Sequence, residues 1–333
     1  MKKVRLYFSR NHYKNKNMLK HNHNSQTDGN HMSREIFADL HNHTTASDGD
    51  YSPEALIKSA KSLGIKAVGV TDHDTINGVE SAMEAGKQYG IEVVPGVEVS
   101  IRFKEPGFTG TLHLLCYFKS ERLGDHAFKE TMRAVLAGGR GESLVRARVK
   151  EINRVFGPKG KQPRLKRGMR YEDISALSDN ASRRHFALVL NQTFGIEAPS
   201  EVNKIIGNDS PAYLPAGIGF EAAADLVSQQ DLLAVLAHPA AGSFPGKGHY
   251  KDVLPPIEVV EGLLPRFLDA GIKGIEVYYP GHIRAHEQVV EGWAGKYGLL
   301  VTGGSDCHDA VHRPLGMAGI SESQFNLFKA ELR

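Results

Sequence analysis

The chain has 333 residues, 41% of them hydrophobic and 24% charged, a balance that suits a soluble globular enzyme and excludes fibrous and intrinsically disordered classes. No run of ~18 apolar residues offers a membrane span, and no short apolar stretch follows the N-terminal charges as a secretory signal would. Cys116 and Cys307 are too few for a disulfide framework or a cysteine-based zinc site and fit a reducing, cytoplasmic home, while a formal charge of +3 permits anionic substrates without demanding nucleic acid.

Residues 1–34 are rich in Asn, Lys and His, lack an apolar period, and read as a disordered leader or an appended tag. From Ile36 the pattern becomes β/α alternation, which predicts a parallel sheet, closed or nearly closed. Ile36 to Leu40 is the first strand, and a helix follows from Pro53 to its stop at Gly64. Ala67 to Val70 is a buried strand, Val79 to Tyr89 a helix ended by Gly90, and Glu92 to Pro95 and Thr111 to Phe118 are further strands. Between 121 and 212 the strand signal disappears; this stretch is helical and basic, is broken by the loop Gly157 to Pro163, and is predicted to be an inserted helical subdomain. Strands resume at Leu233 to Ala237, Gly274 to Tyr278 and Leu299 to Thr302. The barrel is thus expected in two parts, 36–120 and 213–325, around the insertion at 121–212.

Potential ligands follow one strand after another. His41 and His43 lie two residues apart behind the first strand, where alternation turns both rings to one side. His73 follows the second strand, Glu98 the third, His113 lies in or beside the fourth, His238 closes the next, and Asp306 and His308 close the last; Asp48 lies on the loop after the first strand. Singly, each has a plainer explanation: Asp48 as a turn residue, Asp72 or Asp74 as a helix cap, His238 as a satisfied histidine before Pro239. Together those explanations would require several buried strands to end in unpartnered polar groups, each with its desolvation cost. Strand C-termini of a parallel barrel open on one face, so the pattern points to a basin of nitrogen and oxygen ligands for divalent metal ions such as Mn, Fe or Zn.

The ordered blocks Asp39-Leu40-His41-Asn42-His43-Thr44-Thr45-Ala46-Ser47-Asp48-Gly49, Thr71-Asp72-His73-Asp74, Pro95-Gly96-Val97-Glu98, His113, His238-Pro239 and Gly304-Ser305-Asp306-Cys307-His308 resemble the PHP (polymerase and histidinol phosphatase) family of metal-dependent phosphoesterases. The resemblance covers roughly residues 36–120 and 213–320. It implies a distorted (β/α)7 TIM-like barrel with three metal ions: His41, His43, Glu98 and Asp306 on the first, Asp48, His73 and His308 on the second, Glu98, His113 and His238 on the third. The helical insertion resembles the branch that dephosphorylates nucleoside 3′,5′-bisphosphates and trims short RNA from its 5′ end. In that branch Ser182-Arg183-Arg184-His185-Phe186-Ala187 would contact substrate phosphate through Arg183 and Arg184, and Arg146 would supply a second contact.

Closely spaced cations lower the pKa of water, yielding hydroxide, and clamp the oxygens of an in-line phosphoryl displacement, with His238 and His308 as candidate proton carriers. The basic run from Arg133 to Arg170 is either a solvated helix face or a positive wall that guides an anion inward, and it carries few aromatics for stacking single strands. The expected substrate is therefore a nucleotide or short oligonucleotide, with no membrane and no obligate protein partner. Glu276, inside a strand, is a candidate partner for a metal-bound histidine, His282 a candidate rim residue, and His249 and Tyr250 candidate covers for the site. Competing hypotheses are a small-metabolite phosphatase such as a histidinol phosphatase, which the insertion argues against; a non-catalytic metal-binding module, which would show lost ligands; and an amidohydrolase, weakened by the lack of a bridging lysine.

Overall fold

The structure, a computed structural model, describes residues 35–105, 108–246 and 254–332. The expected leader at 1–34 and the candidate cover residues His249 and Tyr250 lie outside the described residues.

Seven strands form one sheet in chain order. β1 (Ala38–Asp39), β2 (Ala67–Val70) and β3 (Glu92–Glu105) pair in parallel, as do β5 (Leu233–Leu236), β6 (Gly274–Tyr278) and β7 (Leu300–Gly303). The ends of the sheet meet: Leu40 N donates to Gly303 O at 3.2 Å and His43 N to Cys307 O at 3.0 Å, which brings the β7 side back to β1 and nearly closes a barrel.

The sheet is not wholly parallel, as the alternation predicted. β4 (Phe108–Tyr117) runs antiparallel to both β3 and β5. The cause is the connection: only two residues separate β3 from β4, whereas a parallel neighbour needs a crossover of roughly a dozen or more. β3 also continues well past Pro95, which faces Val70, the last residue of β2, so the proline stands where that ladder ends. His113 therefore projects from the middle of β4, opposite Ser100, and not from a strand terminus.

Helices α1 (Pro53–Leu63) and α2 (Val79–Tyr89) cover the first strands. Ser52 caps α1 by accepting from Ala55 N, Pro53 opens it, and Gly64 ends it at φ 78°, a left-handed conformation that glycine adopts without a Cβ penalty. Its inner face buries Leu56, Ile57 and Ala60, worth roughly 1.5–3 kcal/mol for each large side chain. Between β4 and β5 come α3 (His126–Ala137), α4 (Glu142–Phe156), α5 (Tyr171–Ser175), α6 (Arg183–Phe194), α7 (Pro199–Ile206) and α8 (Phe220–Gln229). Phe128, Met132 and Leu136 of α3 join the barrel's apolar core, whereas α4 to α7 pack around a second cluster that includes Val149, Phe156, Ile174, Phe186, Leu190 and Ile205. α9 (Ile257–Asp269), α10 (Arg284–Tyr297) and α11 (Glu322–Glu331) complete the outer layer.

Candidate metal centre

Glu98, in the middle of β3 and 1% exposed, is the hub of the site. Its Oε2 lies 3.3 Å from His41 Nε2, 3.1 Å from His43 Nε2 and 3.0 Å from His73 Nδ1; its Oε1 lies 2.9 Å from His113 Nδ1 and 3.1 Å from His238 Nε2. Asp306 Oδ1 approaches His43 Nε2 at 3.0 Å and His41 Nε2 at 3.6 Å, and Asp48 Oδ1 approaches His308 Nε2 at 3.2 Å. All nine candidate metal residues thus meet in one place. Three groups have ligand atoms within 4.8 Å of one another: His41, His43, Glu98 and Asp306; His43, Asp48, His73 and His308; and His73, Glu98 and His113. The first is the set expected from the sequence, the second adds His43, and the third holds His73 where His238 was expected; His238 remains beside it through Glu98 and His113.

The donor set fits divalent cations. Asp48 Oδ1, Glu98 Oε2 and His73 Nδ1 are buried without a well-formed hydrogen bond and converge with other lone-pair donors, an arrangement that a cation satisfies. Burial by itself would raise the pKa of Glu98, but the imidazoles of His113, His73 and His41 outweigh it and hold the carboxyl well below its usual range. Asp48 and Asp306 behave likewise: burial opposes ionisation, but His308 and His73 beside the first, and Arg313 and His308 beside the second, keep both ionised. Burial, reinforced by Arg313 and His43, pushes His308 down to about 4.

A surrounding layer aims these groups. Glu276 Oε1 lies 3.1 Å from His41 Nδ1, and its Oε2 accepts from His238 N at 2.8 Å, so one carboxylate orients two candidate ligands and turns His41 Nε2 toward Glu98. Tyr279 and Arg313 donate to Asp306 Oδ2 at 2.8 and 2.7 Å, which leaves Oδ1 for the imidazoles. Asp72, which one plainer explanation made a helix cap, accepts from Thr44 N, Thr44 Oγ1 and Ser47 Oγ, and ties the loop bearing Asp48 to the one bearing His73. Gly304 permits the close passage of the first and last strands, since a Cβ there would lie 2.4 Å from His41 N. His238 and Asp306 hold left-handed backbone at φ 32° and 49°, strain of the kind concentrated at functional sites. His282 is not a rim residue: buried, with Nδ1 donating to Val277 O and Nε2 accepting from Ala240 N, it braces the loop after His238.

The arginines expected at phosphate are placed differently from one another. Arg146 is 55% exposed on α4, paired with Glu142 at 2.6 Å and laid over the Tyr171 ring. Arg183 donates to Asn208 Oδ1 at 2.6 Å and lies over Tyr213. Arg184 donates to the backbone carbonyls of Asp48 and His308. Sequence reasoning missed Arg140, whose only signal was a lone arginine among glycines. Buried beside the hub, it donates to Asp74 Oδ2 at 2.6 Å and Ser100 Oγ at 3.2 Å, and its Nη1 has no partner. Arg148 is half-buried, and desolvation, with the charges of Arg140 and Arg183 adding, pushes it down to about 9. The exposed basic run is largely cross-neutralised: Arg133, Arg154, Arg164 and Arg167 each pair with a carboxylate.

Residues 39–154 match the PHP domain family model. A 5′-3′ exoribonuclease of Haemophilus influenzae is 28% identical over 273 residues, 81% of this chain and 89% of that protein. A 3′,5′-nucleoside bisphosphate phosphatase of Chromobacterium violaceum is 28% identical over 81% of this chain and 86% of its own length. A structure from Bifidobacterium adolescentis, described as a metal-dependent phosphoesterase, superposes with a TM-score of 0.69 at 22% identity, covering 89% of this chain and 96% of that one; at that identity it shows the shared barrel fold. The expected TIM-like barrel is the observed fold, and with its ordered ligand blocks the chain is similar to PHP-domain metal-dependent phosphoesterases, the match to the family model spanning residues 39–154.

Proposed function

We propose that the chain hydrolyses phosphate esters of nucleotides, removing the 3′-phosphate of nucleoside 3′,5′-bisphosphates or trimming short 5′-phosphorylated RNA. The observation that carries this is the convergence of five imidazoles on the two oxygens of Glu98, joined to relatives with those two activities. In this reading three divalent ions, Mn, Fe or Zn, are held by His41, His43, Asp48, His73, Glu98, His113, His238, Asp306 and His308. Bound there, they supply Lewis acidity toward a phosphoryl oxygen and toward water.

The protein's own groups bind and orient. Arg183 and Arg140 contact phosphate, the latter through the unpartnered Nη1, because a guanidinium fork matches nonbridging oxygens. His238 and His308 act as ligands and not as proton carriers, since their Nε2 atoms face Glu98 and Asp48. The helices with their own apolar cluster, α4 to α7, form the substrate subdomain of the insertion proposed at 121–212. Both cysteines are buried and free, in keeping with a cytoplasmic enzyme, and no described helix is long and apolar enough to cross a membrane.

The test is metal-free protein reconstituted with Mn and offered adenosine 3′,5′-bisphosphate, a short 5′-phosphorylated RNA and histidinol phosphate. Phosphate release from the bisphosphate, or shortening of the RNA, is expected. Turnover of histidinol phosphate alone would replace this reading with the small-metabolite one.

A further inference from the structure

Three of the four residues in the group His43, Asp48, His73 and His308 have their backbone carbonyls held from outside the barrel, by one short segment of the helical region. Arg184 Nη1 donates to Asp48 O at 3.0 Å and to His308 O at 3.3 Å. Its Nη2 donates to Asp50 Oδ1 at 2.8 Å and lies 3.8 Å from Asp309 Oδ2. Four residues earlier, Asn180 Nδ2 donates to His73 O at 2.6 Å. The fourth member is fixed within the barrel, His43 N donating to Cys307 O at 3.0 Å. The loops so tied are the ones whose side chains must meet: His308 Nε2 is 3.2 Å from Asp48 Oδ1, and Asp50 N also donates to His308 O at 2.7 Å.

We infer that Asn180 and Arg184 form a clamp that positions Asp48, His73 and His308 for one metal ion, and that Arg184 acts through these ligands and not on substrate phosphate. Nη1 gives both its hydrogens, and Nη2 one, to carbonyl and carboxylate oxygens of the ligand loops, so a phosphate could engage Nη1 only by displacing those carbonyls. The helix that bears Arg184 also bears Arg183, proposed above as a phosphate contact, so neighbouring arginines divide the work: one faces substrate, the other fixes the metal group. Groups that hold metal ligands from behind affect affinity because they fix the orientation that coordination needs, and their loss costs roughly 10–100-fold in affinity or activity.

The inference rests on the proposed metal reading, and the experiment separates the two. Metal-free wild type, Arg184→Gln, Arg184→Lys and Asn180→Ala are titrated with Mn alone in competition with a fluorescent chelator. KM for adenosine 3′,5′-bisphosphate is then measured at saturating Mn. The clamp predicts that Arg184→Gln weakens one Mn step on the order of tenfold or more, that Arg184→Lys recovers part of it, that Asn180→Ala shows a smaller loss in the same step, and that KM is unchanged. Mn isotherms that superimpose on wild type overturn the clamp, and a raised KM beside them returns Arg184 to phosphate. If Arg184→Gln does not fold, Asn180→Ala decides by the same criterion. Failure of wild type itself to bind Mn would instead sink the metal reading.

Discussion

The barrel and the helical region between β4 and β5 hold their charged groups by different means. In the barrel, Glu98, His113 and His238 lie on or directly behind strands whose ladders fix the backbone, and a buried carboxylate such as Glu276 aims two of the candidate ligands at once. In the helical region most arginines are fixed only by side-chain pairs of the kind Arg154 makes with Glu151 or Arg164 with Glu201, at the surface. A ladder settles where a residue points before its partner is known, whereas a surface pair is one of several that a flexible side chain can choose. The first kind of placement is set by backbone pattern, and the second depends on the assembled fold.

The largest effect should come from the barrel. Asp306 Oδ1 faces His41 and His43 while Oδ2 is anchored by Tyr279 and Arg313, so Asp306→Ala removes a candidate ligand and leaves Arg313 facing a buried gap. Metal-assisted charge stabilisation is worth several kcal/mol, and each ~1.4 kcal/mol is about tenfold in rate. Turnover should fall by about three orders of magnitude, and plasma emission analysis of dialysed protein should show metal missing. Full activity in this variant would break the comparison at its strongest point.

That contrast also marks how far the sequence could be read. The strands behind His41, His73, His238 and Asp306 were legible because an apolar run ending abruptly in His or Asp is improbable without a partner for the polar group. The reversal of β4 was not, because alternation of residues along a strand is the same in either direction, and direction depends on the two-residue link from β3. Asp72 looked like a helix cap because its real partners, Thr44 and Ser47, are contributed by another loop. Arg140 offered only a lone arginine among glycines; its burial against Asp74 and Ser100 depends on the assembled fold, which brings the turn after α3 beside β3.

Glu276→Gln is the next step down. The amide keeps the shape but loses the negative charge beside His41 Nδ1 and one acceptor for either that ring or His238 N. Metal affinity should drop on the order of tenfold, read by chelator competition, with activity restored at high Mn. If added Mn brings no recovery, Glu276 has a role beyond aiming the histidines. Arg183→Ala tests the other region: a charge-assisted contact of about 1.5–3 kcal/mol lost to substrate should raise KM for adenosine 3′,5′-bisphosphate by roughly tenfold or more and leave the Mn isotherm alone. A shifted isotherm with an unchanged KM would move Arg183 from substrate to the metal group.

The smallest effect is expected at Arg146, and it bears most directly on the comparison. Arg146 and Arg148 stand two apart on α4, and residues so spaced do not share a helix face. The first lies outward over Tyr171, with Glu142 as its partner; the second is half-buried, with Nε donating to Leu214 O. Exposed helix pairs contribute little that survives salt screening, so Arg146→Ala should change KM by less than about twofold at physiological ionic strength. A tenfold rise in KM would mean that substrate reaches across the outer face of α4, and that its surface pairs are contacts a bound nucleotide displaces.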